Sequence, residues 1–273
     1  MKKFLVIGNP INHSLSPKLH NYWIKKNNIN AIYEKQKLEK SDLGHLISQV
    51  KEKKIFGINV TVPFKTSVIP FLDDLTLDAH ETQSVNTIYF ENDKIIGHNT
   101  DIGGFETSIY KSNVDLKNKK ILILGAGGVV PSIIYALSKM NVSEIVISNR
   151  TIEKAQNLKN LFKDINIIKW GEFSNFDMII NATTVGLGEK DKFDFDFSSS
   201  GNNKLFYDVI YNPNETNFLK TGRKLGNIVI NGKLMFVYQA LLAFNIWHKL
   251  KPNVDEEVLK LLDKWLELEF WEE

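Results

Sequence analysis

The sequence predicts an α/β protein built from two domains, and three observations indicate this fold class. The chain has 273 residues, which is enough for two domains with sizeable cores. Short apolar segments of strand length alternate with segments of helical periodicity along nearly the whole chain. A glycine-rich turn at residues 125–128 separates an apolar strand from a helix, an arrangement typical of a doubly wound parallel sheet.

The first hundred residues predict one α/β unit. Strands are predicted at residues 4–7, 31–38, 55–60, 87–90 and 94–97. The last two flank a short turn at 91–93 and therefore predict a β-hairpin. Ser16 followed by Pro17 indicates a helix start with Ser16 as the N-cap, and a second helix is expected at about 41–53.

From Lys119 onward, strands and helices alternate, which predicts a parallel, doubly wound sheet. Strands are predicted at residues 121–124, 144–148, 165–168, 178–181, 205–209 and 228–230. A helix follows the first of these strands and runs to about residue 140. After Gly232 the chain is predicted to be helical, with segments at 235–248 and 254–271.

Composition and charge exclude several function classes. The net charge of +2, without a long basic run, gives no indication of nucleic-acid binding, and no apolar stretch is long enough to span a membrane. The chain has no cysteine, which excludes disulfides, thiolate zinc sites and a cysteine nucleophile. Its six histidines are scattered without metal-binding spacing. The composition therefore predicts a cytoplasmic protein that binds no metal, nucleic acid or membrane.

The segment from Gly57 to Lys65 gives the strongest indication of a functional site. Apolar residues alternate in it with polar Asn59 and Thr61, the pattern of a strand with one face in a core. Pro63 suits the first position of a helix, which predicts that Lys65 lies in the first helical turn. The helix dipole mildly disfavours a cation there, and such local costs tend to mark function. The alternative is an ordinary solvated lysine.

Other polar residues are predicted to lie at strand ends. Ser14 and Ser16 follow the first strand, at the edge where open α/β sheets bind ligands, although a loop hydroxyl and a helix cap are the alternative interpretation. The hairpin register places Asn86 opposite Asn99, and Asp101 emerges at the same open end. The hairpin therefore brings together three polar residues that the sequence separates.

The glycine-rich turn predicts a dinucleotide site. Gly125 permits a tight turn, Gly127 lets the backbone approach a pyrophosphate, and the N-terminus of the following helix holds the anion. Val130 stands where a third small residue is usual. A purely structural turn is the alternative.

The end of the next strand indicates which dinucleotide binds. An NAD site expects an acidic residue there, to accept a hydrogen bond from the ribose 2′-hydroxyl. This chain has Asn149, Arg150 and Thr151 instead, with Lys154 one turn further on. These groups favour the 2′-phosphate of NADP, whereas a solvated strand-end arginine is the alternative.

Several different short motifs are distributed over nearly the whole chain. They are Gly8-Asn-Pro-x-x-His-Ser-x-Ser-Pro-x-x-His-Asn21, Asn59-Val-Thr-Val-Pro-Phe-Lys65, Val85-Asn-Thr87, Asn99-Thr-Asp-x-x-Gly104, Gly125-Ala-Gly-Gly128, Asn149-Arg-Thr151, Asn181-Ala-Thr183, Asp208-Val-Ile-Tyr-Asn-Pro213 and Gln239-Ala-x-x-Ala-Phe244. In content and order these motifs resemble the shikimate dehydrogenase family.

The resemblance implies an oxidoreductase that reduces 3-dehydroshikimate to shikimate with NADPH, using Lys65 and Asp101 as the catalytic pair. It implies substrate contacts from Ser14, Ser16, Thr61, Lys65, Asn86, Asp101, Tyr211 and Gln239. It implies cofactor contacts from Gly125, Ala126, Gly127, Gly128, Asn149, Arg150, Thr151, Lys154, Thr183, Gly232 and Met235. The expected domains are a substrate domain at 1–101, a Rossmann-type NADP domain at 102–234, and C-terminal helices at 235–273 that complete the substrate domain.

The sequence departs from the family pattern at two places, and two alternative functions remain possible. Thr184-Val-Gly-Leu187 replaces the commoner Ser-Ala-Gly-Met, and Leu234 stands near the position that is often glycine beside the nicotinamide. A quinate or dual quinate/shikimate dehydrogenase shares the scaffold and the Lys-Asp pair. A catalytically silent NADP-binding regulator is the alternative outside enzymes. A monomer or a homodimer is expected.

Overall fold

The computed structural model describes residues 1–173, 175–188 and 191–269, which form two compact units. The first unit consists of residues 1–104 and the C-terminal segment from Val237 onward, and the second consists of Phe105–Phe236. Two helices carry the chain from one unit into the other. They are α4 (Thr100–Lys111) and α8 (Lys233–His248).

The first unit is built on a mixed six-stranded sheet. Its strands are β1 (Lys2–Gly8), β2 (Ala31–Lys37), β3 (Gly57–Val60), β4 (Asp74–Leu75), β5 (Thr87–Glu91) and β6 (Lys94–His98), in the spatial order β2-β1-β3-β5-β6-β4. Strand β1 is parallel to β2 and β3, whereas β5 is antiparallel to β3 and β6. The other helices of this unit are α1 (Ser16–Lys26), α2 (Leu43–Lys51), α3 (Leu77–Thr82) and α9 (Glu256–Glu269).

The two faces of this sheet differ in chemistry. Leu5, Ile58 and Val60 point to a core that includes buried residues of α2. Asn59 points to the opposite face, because successive side chains of a strand alternate between the two faces. The predicted alternation in β3 is therefore confirmed, and its polar residue is buried rather than solvated.

Two predicted helix starts are wrong. Ser16 is the first residue of α1 rather than its cap, since Leu15 occupies the N-cap and no side chain makes a capping hydrogen bond. After β3 the chain passes through a cis Val62–Pro63 peptide bond and a series of turns, so Lys65 lies in a turn and not in the first turn of an α-helix. The fixed φ of proline suits a tight turn as well as a helix start, and the local sequence does not distinguish them.

The second unit contains the predicted doubly wound parallel sheet. Its strands are β7 (Lys120–Leu124), β8 (Glu144–Ser148), β9 (Ile165–Ile168), β10 (Met178–Asn181), β11 (Leu205–Asp208) and β12 (Ile228–Ile230), in the order β12-β11-β10-β7-β8-β9. All of the pairings are parallel. Its remaining helices are α5 (Val130–Lys139), α6 (Ile152–Leu161) and α7 (Asn217–Lys224). The strand order reverses between β7 and β10, where such sheets bind ligands.

The C-terminal helix α9 lies within the segment predicted to be helical at 254–271, and it has an apolar side. Val258, Leu262 and Leu266 are buried on one side of it, while Leu261 and Trp265 are half-buried. Phe270 and Trp271, the end of the predicted segment, lie outside the described residues. Over residues 1–173, 175–188 and 191–269, no helix has both the length and the apolar character needed to cross a membrane.

Candidate active site

The hairpin of the first unit has the predicted register. Asn92 and Asp93 form its two-residue turn with φ angles of 52° and 58°, and Thr87 pairs with His98. Positive φ at both central positions is typical of the tight turns that suit the twist of paired strands. The amide nitrogen of Asn86 donates to the His98 carbonyl at 3.1 Å. The hairpin therefore presents Asn86 at its open end, next to the start of α4.

Lys65 and Asp101 form a buried ion pair at that end. The Lys65 Nζ donates to the Asp101 Oδ2 at 2.5 Å, and the two side chains are only 11% and 8% exposed. The Lys65 carbonyl accepts from the Val85 amide at 2.9 Å, which ties its turn to the chain segment before β5. The Asn99 Oδ1 accepts from the Asp101 amide at 3.1 Å at the start of α4. This pair supplies an oriented ammonium next to a carboxylate, so the solvated-lysine interpretation is wrong.

Asn86 holds the second oxygen of Asp101. Its Nδ2 donates to the Asp101 Oδ1 at 2.9 Å and to the Thr100 hydroxyl at 2.9 Å, while its Oδ1 accepts from the Thr100 amide at 2.7 Å. Asn86 is 3% exposed and Asp101 is 6% exposed. The site therefore has three polar groups in a fixed arrangement before any ligand enters.

The remaining predicted substrate residues of the first unit lie on three different segments. Ser14 and Ser16 follow β1, and the Ser14 hydroxyl accepts from the Ser16 amide at 3.4 Å. Thr61 directly follows β3, and its amide donates to the Ile7 carbonyl of β1 at 2.9 Å. Gln239 is half-buried on α8. The Ser14 segment and Thr61 therefore follow the carboxyl ends of two neighbouring parallel strands.

Tyr211 belongs to the second unit, where it follows β11. Its ring stacks on Phe236, with the centroids 4.5 Å apart and the planes at 26°. Gly232 and Met235 lie around the start of α8, close in sequence to Phe236, and Met235 is buried. A Cβ on Gly232 would lie 2.1 Å from the Val209 carbonyl oxygen, so only glycine fits there.

The glycine-rich turn between β7 and α5 has the geometry of a phosphate site. Gly125 has a φ of +110°, and a Cβ there would lie 2.8 Å from the Ala182 carbonyl oxygen and 3.0 Å from the Thr183 methyl group. At Gly127 a Cβ would meet only the Ala182 oxygen, at 3.8 Å. The protein has room for a side chain at Gly127, so glycine there keeps the backbone open to a ligand.

The end of β8 carries free positive charge. Arg150 and Lys154 are exposed, and among the described residues neither side chain has a hydrogen bond or an ion pair. The other arginine, Arg223, is paired with Glu215 at 2.9 Å. The Asn149 Nδ2 donates to the Thr151 carbonyl at 2.7 Å, which shapes the turn into α6. An unpaired guanidinium at this strand end fits a 2′-phosphate.

The sequence analysis did not predict a buried hydrogen-bond network that connects Thr183 to Asn181 and Asp208. The Asn181 Oδ1 accepts from the Thr183 hydroxyl at 2.7 Å, and the Asn181 Nδ2 donates to the Asp208 Oδ1 at 3.1 Å. Asp208 also accepts from the Ile210 amide and the Thr216 hydroxyl, at 3.0 and 2.6 Å. Burial raises the pKa of Asp208 to about 6, and these hydrogen bonds oppose that effect. One feature of the sequence could have predicted this network: Asn181 and Asp208 are the last residues of two adjacent strands, β10 and β11, of the parallel sheet.

Comparisons with known proteins assign the family. A family model described as the shikimate dehydrogenase substrate binding domain matches residues 6–88, and one described as shikimate/quinate 5-dehydrogenase matches residues 108–187. The chain is 59% identical over 262 residues to the shikimate dehydrogenase (NADP(+)) of Pelagibacter ubique strain HTCC1062, covering 96% of this chain and 99% of the relative.

Solved structures agree with this assignment. The shikimate dehydrogenase of Aquifex aeolicus is 35% identical with a TM-score of 0.85, and the match covers 93% of this chain and 94% of that one. The enzyme of Thermus thermophilus, solved in complex with NADP(H) and shikimate, is 28% identical with a TM-score of 0.84 and coverage of 93% and 95%. The resemblance drawn from the motifs is confirmed, and the chain belongs to the shikimate dehydrogenase family.

Proposed function

We propose that this protein catalyses the reversible, NADPH-dependent reduction of 3-dehydroshikimate to shikimate. The buried ion pair between Lys65 and Asp101 is the observation that carries the proposal, because a binding module has no need of it. The predicted enzyme class and cofactor are confirmed by the name of the 59% identical relative, shikimate dehydrogenase (NADP(+)). The related Thermus thermophilus enzyme binds NADP(H) and shikimate together.

The proposed chemistry follows from the ion pair. NADPH, when bound, supplies the hydride that converts the substrate carbonyl to an alcohol. The Lys65 ammonium stabilises the negative charge that develops on the carbonyl oxygen and donates a proton to that oxygen. The Asp101 carboxylate orients Lys65, and Asn86 orients Asp101, so the charges are arranged before the reaction begins.

Substrate recognition is proposed to use hydroxyl and amide donors. Ser14, Ser16 and Tyr211 bind the substrate carboxylate. Thr61, Lys65, Asn86, Asp101 and Gln239 bind the ring hydroxyls. A site built to hydrogen-bond hydroxyl groups rejects a ligand without them, because its own polar groups are then left unpaired.

Cofactor binding is proposed for residues 102–234, and substrate binding for residues 1–101 with 235–273. The NADP contacts are Gly125, Ala126, Gly127, Gly128, Asn149, Arg150, Thr151, Lys154, Thr183, Gly232 and Met235. The open space at Gly127 and the unpaired Arg150 fit a pyrophosphate and a 2′-phosphate respectively. We also propose a cytoplasmic monomer or homodimer that does not bind nucleic acid, which agrees with the absence of cysteine and the net charge of +2.

A spectrophotometric assay tests the proposed function. The purified protein is mixed with shikimate or quinate and with NADP or NAD, and nicotinamide reduction is followed by absorbance. We expect the highest kcat/KM with shikimate and NADP. Comparable rates with quinate would indicate a dual dehydrogenase, and no turnover with any pair while NADP still binds would indicate a silent regulator.

A further inference from the structure

His20 and Asn21 belong to the first sequence motif but have no part in the proposed chemistry. Both of them hold Tyr33 of β2. The Asn21 Nδ2 donates to the Tyr33 carbonyl at 2.7 Å, and the Asn21 Oδ1 accepts from the Tyr33 amide at 2.9 Å. The His20 ring stacks on the Tyr33 ring, with a centroid distance of 4.1 Å and an interplanar angle of 7°. Tyr33 is 1% exposed, so its backbone and its ring are both fixed.

The Tyr33 hydroxyl reaches across β1 to Asn59 of β3. It donates to the Asn59 Oδ1 at 2.7 Å. The direction of this bond follows from the other side of Asn59, whose Nδ2 donates to the Asn86 carbonyl and to the Thr87 hydroxyl, each at 3.0 Å. A carbonyl only accepts, so the Nδ2 must face Asn86 and the Oδ1 must face Tyr33.

From Asn59 the hydrogen bonds continue to the ion pair. The Thr87 hydroxyl donates to the Asn86 Oδ1 at 3.0 Å, and the Asn86 Nδ2 donates to the Asp101 Oδ1 at 2.9 Å. Asn59, Asn86 and Thr87 are 6%, 3% and 0% exposed. Water therefore has little access to compete for these groups, and the loss of one donor leaves a buried acceptor unpaired.

We propose that Tyr33 is a positioning residue for catalysis, whose hydroxyl fixes the Asn59 amide and, through Asn86, the Asp101 carboxylate beside Lys65. This role rests on the proposed function, since it acts on the pair that performs the chemistry. Burial raises the pKa of Tyr33 well above its ordinary value, against a smaller opposing hydrogen bond from Ser16. The hydroxyl therefore stays protonated and acts as a donor at neutral pH.

The test is the Tyr33→Phe variant, which removes one oxygen and keeps the ring. Without the hydroxyl, the Asn59 Oδ1 is buried without its donor, and Asn59 holds the Thr87 hydroxyl less firmly. Asn86 then loses part of its support from Thr87 and keeps its hydrogen bonds to Thr100. We expect kcat with shikimate to fall by about tenfold, while the KM for NADP stays within about twofold. Tyr207→Phe is the matched control. Tyr207 is also fully buried and its hydroxyl lies 3.1 Å from the Ser108 hydroxyl, but it belongs to the second unit and contacts none of these groups.

A double-mutant cycle identifies the route of the effect. In an Asn86→Ala background the link between Tyr33 and Asp101 is cut while Lys65 and Asp101 are retained, so Tyr33→Phe should have no further effect on kcat. An unchanged kcat for Tyr33→Phe, or the same fall in both backgrounds, overturns the proposal.

Two more measurements distinguish failure of the proposed function, or of folding, from failure of the proposed role of Tyr33. Wild type and Tyr207→Phe are assayed first, and inactivity of both refutes the proposed function rather than the role of Tyr33. If Tyr33→Phe does not fold, Asn21→Ala replaces it, because this change removes both hydrogen bonds to the Tyr33 backbone. It should lower kcat more than it raises either KM, and a normal kcat in a folded Asn21→Ala protein counts against the proposal.

Discussion

His20 makes the stability of this protein depend on pH in a way that can be calculated. Its side chain is fully buried, and among the described residues neither ring nitrogen has a hydrogen-bond partner. Burial, with a smaller contribution from the neighbouring His248, lowers the pKa of His20 from 6.5 to about 3. The folded protein therefore keeps this ring neutral at mildly acidic pH, whereas the unfolded chain takes up a proton. The perturbation that tests this is His20→Phe, which retains a ring against Tyr33.

The sign and size of the effect follow from linkage. The folded pKa is below the unfolded one, so the stabilising contribution is fully present above pH 6.5 and is lost as the pH falls toward 3. Between about pH 7.5 and about pH 5, proton uptake by unfolded His20 lowers the free energy of unfolding by about 2 kcal/mol. Because this whole range lies above the folded pKa, the folded ring takes up almost no proton to offset that loss.

Urea unfolding at the two pH values measures this contribution. The fluorescence of Trp23 and Trp247 reports on the surroundings of His20, because their rings lie 5.9 and 5.6 Å from it. Other groups also titrate in this range: His248 acts in the same direction, and Asp208 acts in the opposite direction because its folded pKa is raised. The decisive quantity is therefore the difference between wild type and His20→Phe. If both proteins lose the same free energy between the two pH values, the buried neutral histidine is not the cause.

Substitutions at the polar groups of the site separate their roles. Lys65→Ala should lower kcat by about a thousandfold with much less change in the KM for shikimate, and a variant that retains most of its kcat rules out the lysine as proton donor. Arg150→Ala should raise the KM for NADP about ten- to a hundredfold and leave turnover with NAD nearly unchanged, because it removes one charge-assisted contact to the 2′-phosphate. Arg223→Ala is the control and should change neither the KM for NADP nor turnover with NAD, since Arg223 is paired with Glu215. Equal losses with NADP and NAD in Arg150→Ala would show that Arg150 has a structural role. Ser16→Ala should raise the KM for shikimate with little change in Tm, because Ser16 does not cap α1. The opposite result, a lower Tm with an unchanged KM, would restore the capping role.

Local sequence determined most of the strands and the hairpin. The bounds of β8, β9 and β10 follow directly from short apolar runs, since strand formation in a buried parallel sheet depends mainly on continuous apolar residues. The register that joins Asn86 to Asp101 also followed from sequence, because a two-residue turn and the period-2 pleat leave only one pairing. The glycine turn and Arg150 were found for the same reason: each stands at a fixed position relative to a neighbouring strand end.

Only the tertiary structure decided what surrounds these residues. Pro63 was compatible with a helix and with a turn, and the packing of the chain after β3 selected the turn that presents Lys65 to Asp101. The bond from Tyr33 to Asn59 crosses a strand that lies between them, and no periodicity in the sequence indicates which strand lies there. The burial that shifts the pKa values of His20 and Asp208 likewise depends on neighbours distant in sequence. Periodicity and turn chemistry act over a few residues, whereas strand order, burial and hydrogen-bond partners arise only when distant segments pack together.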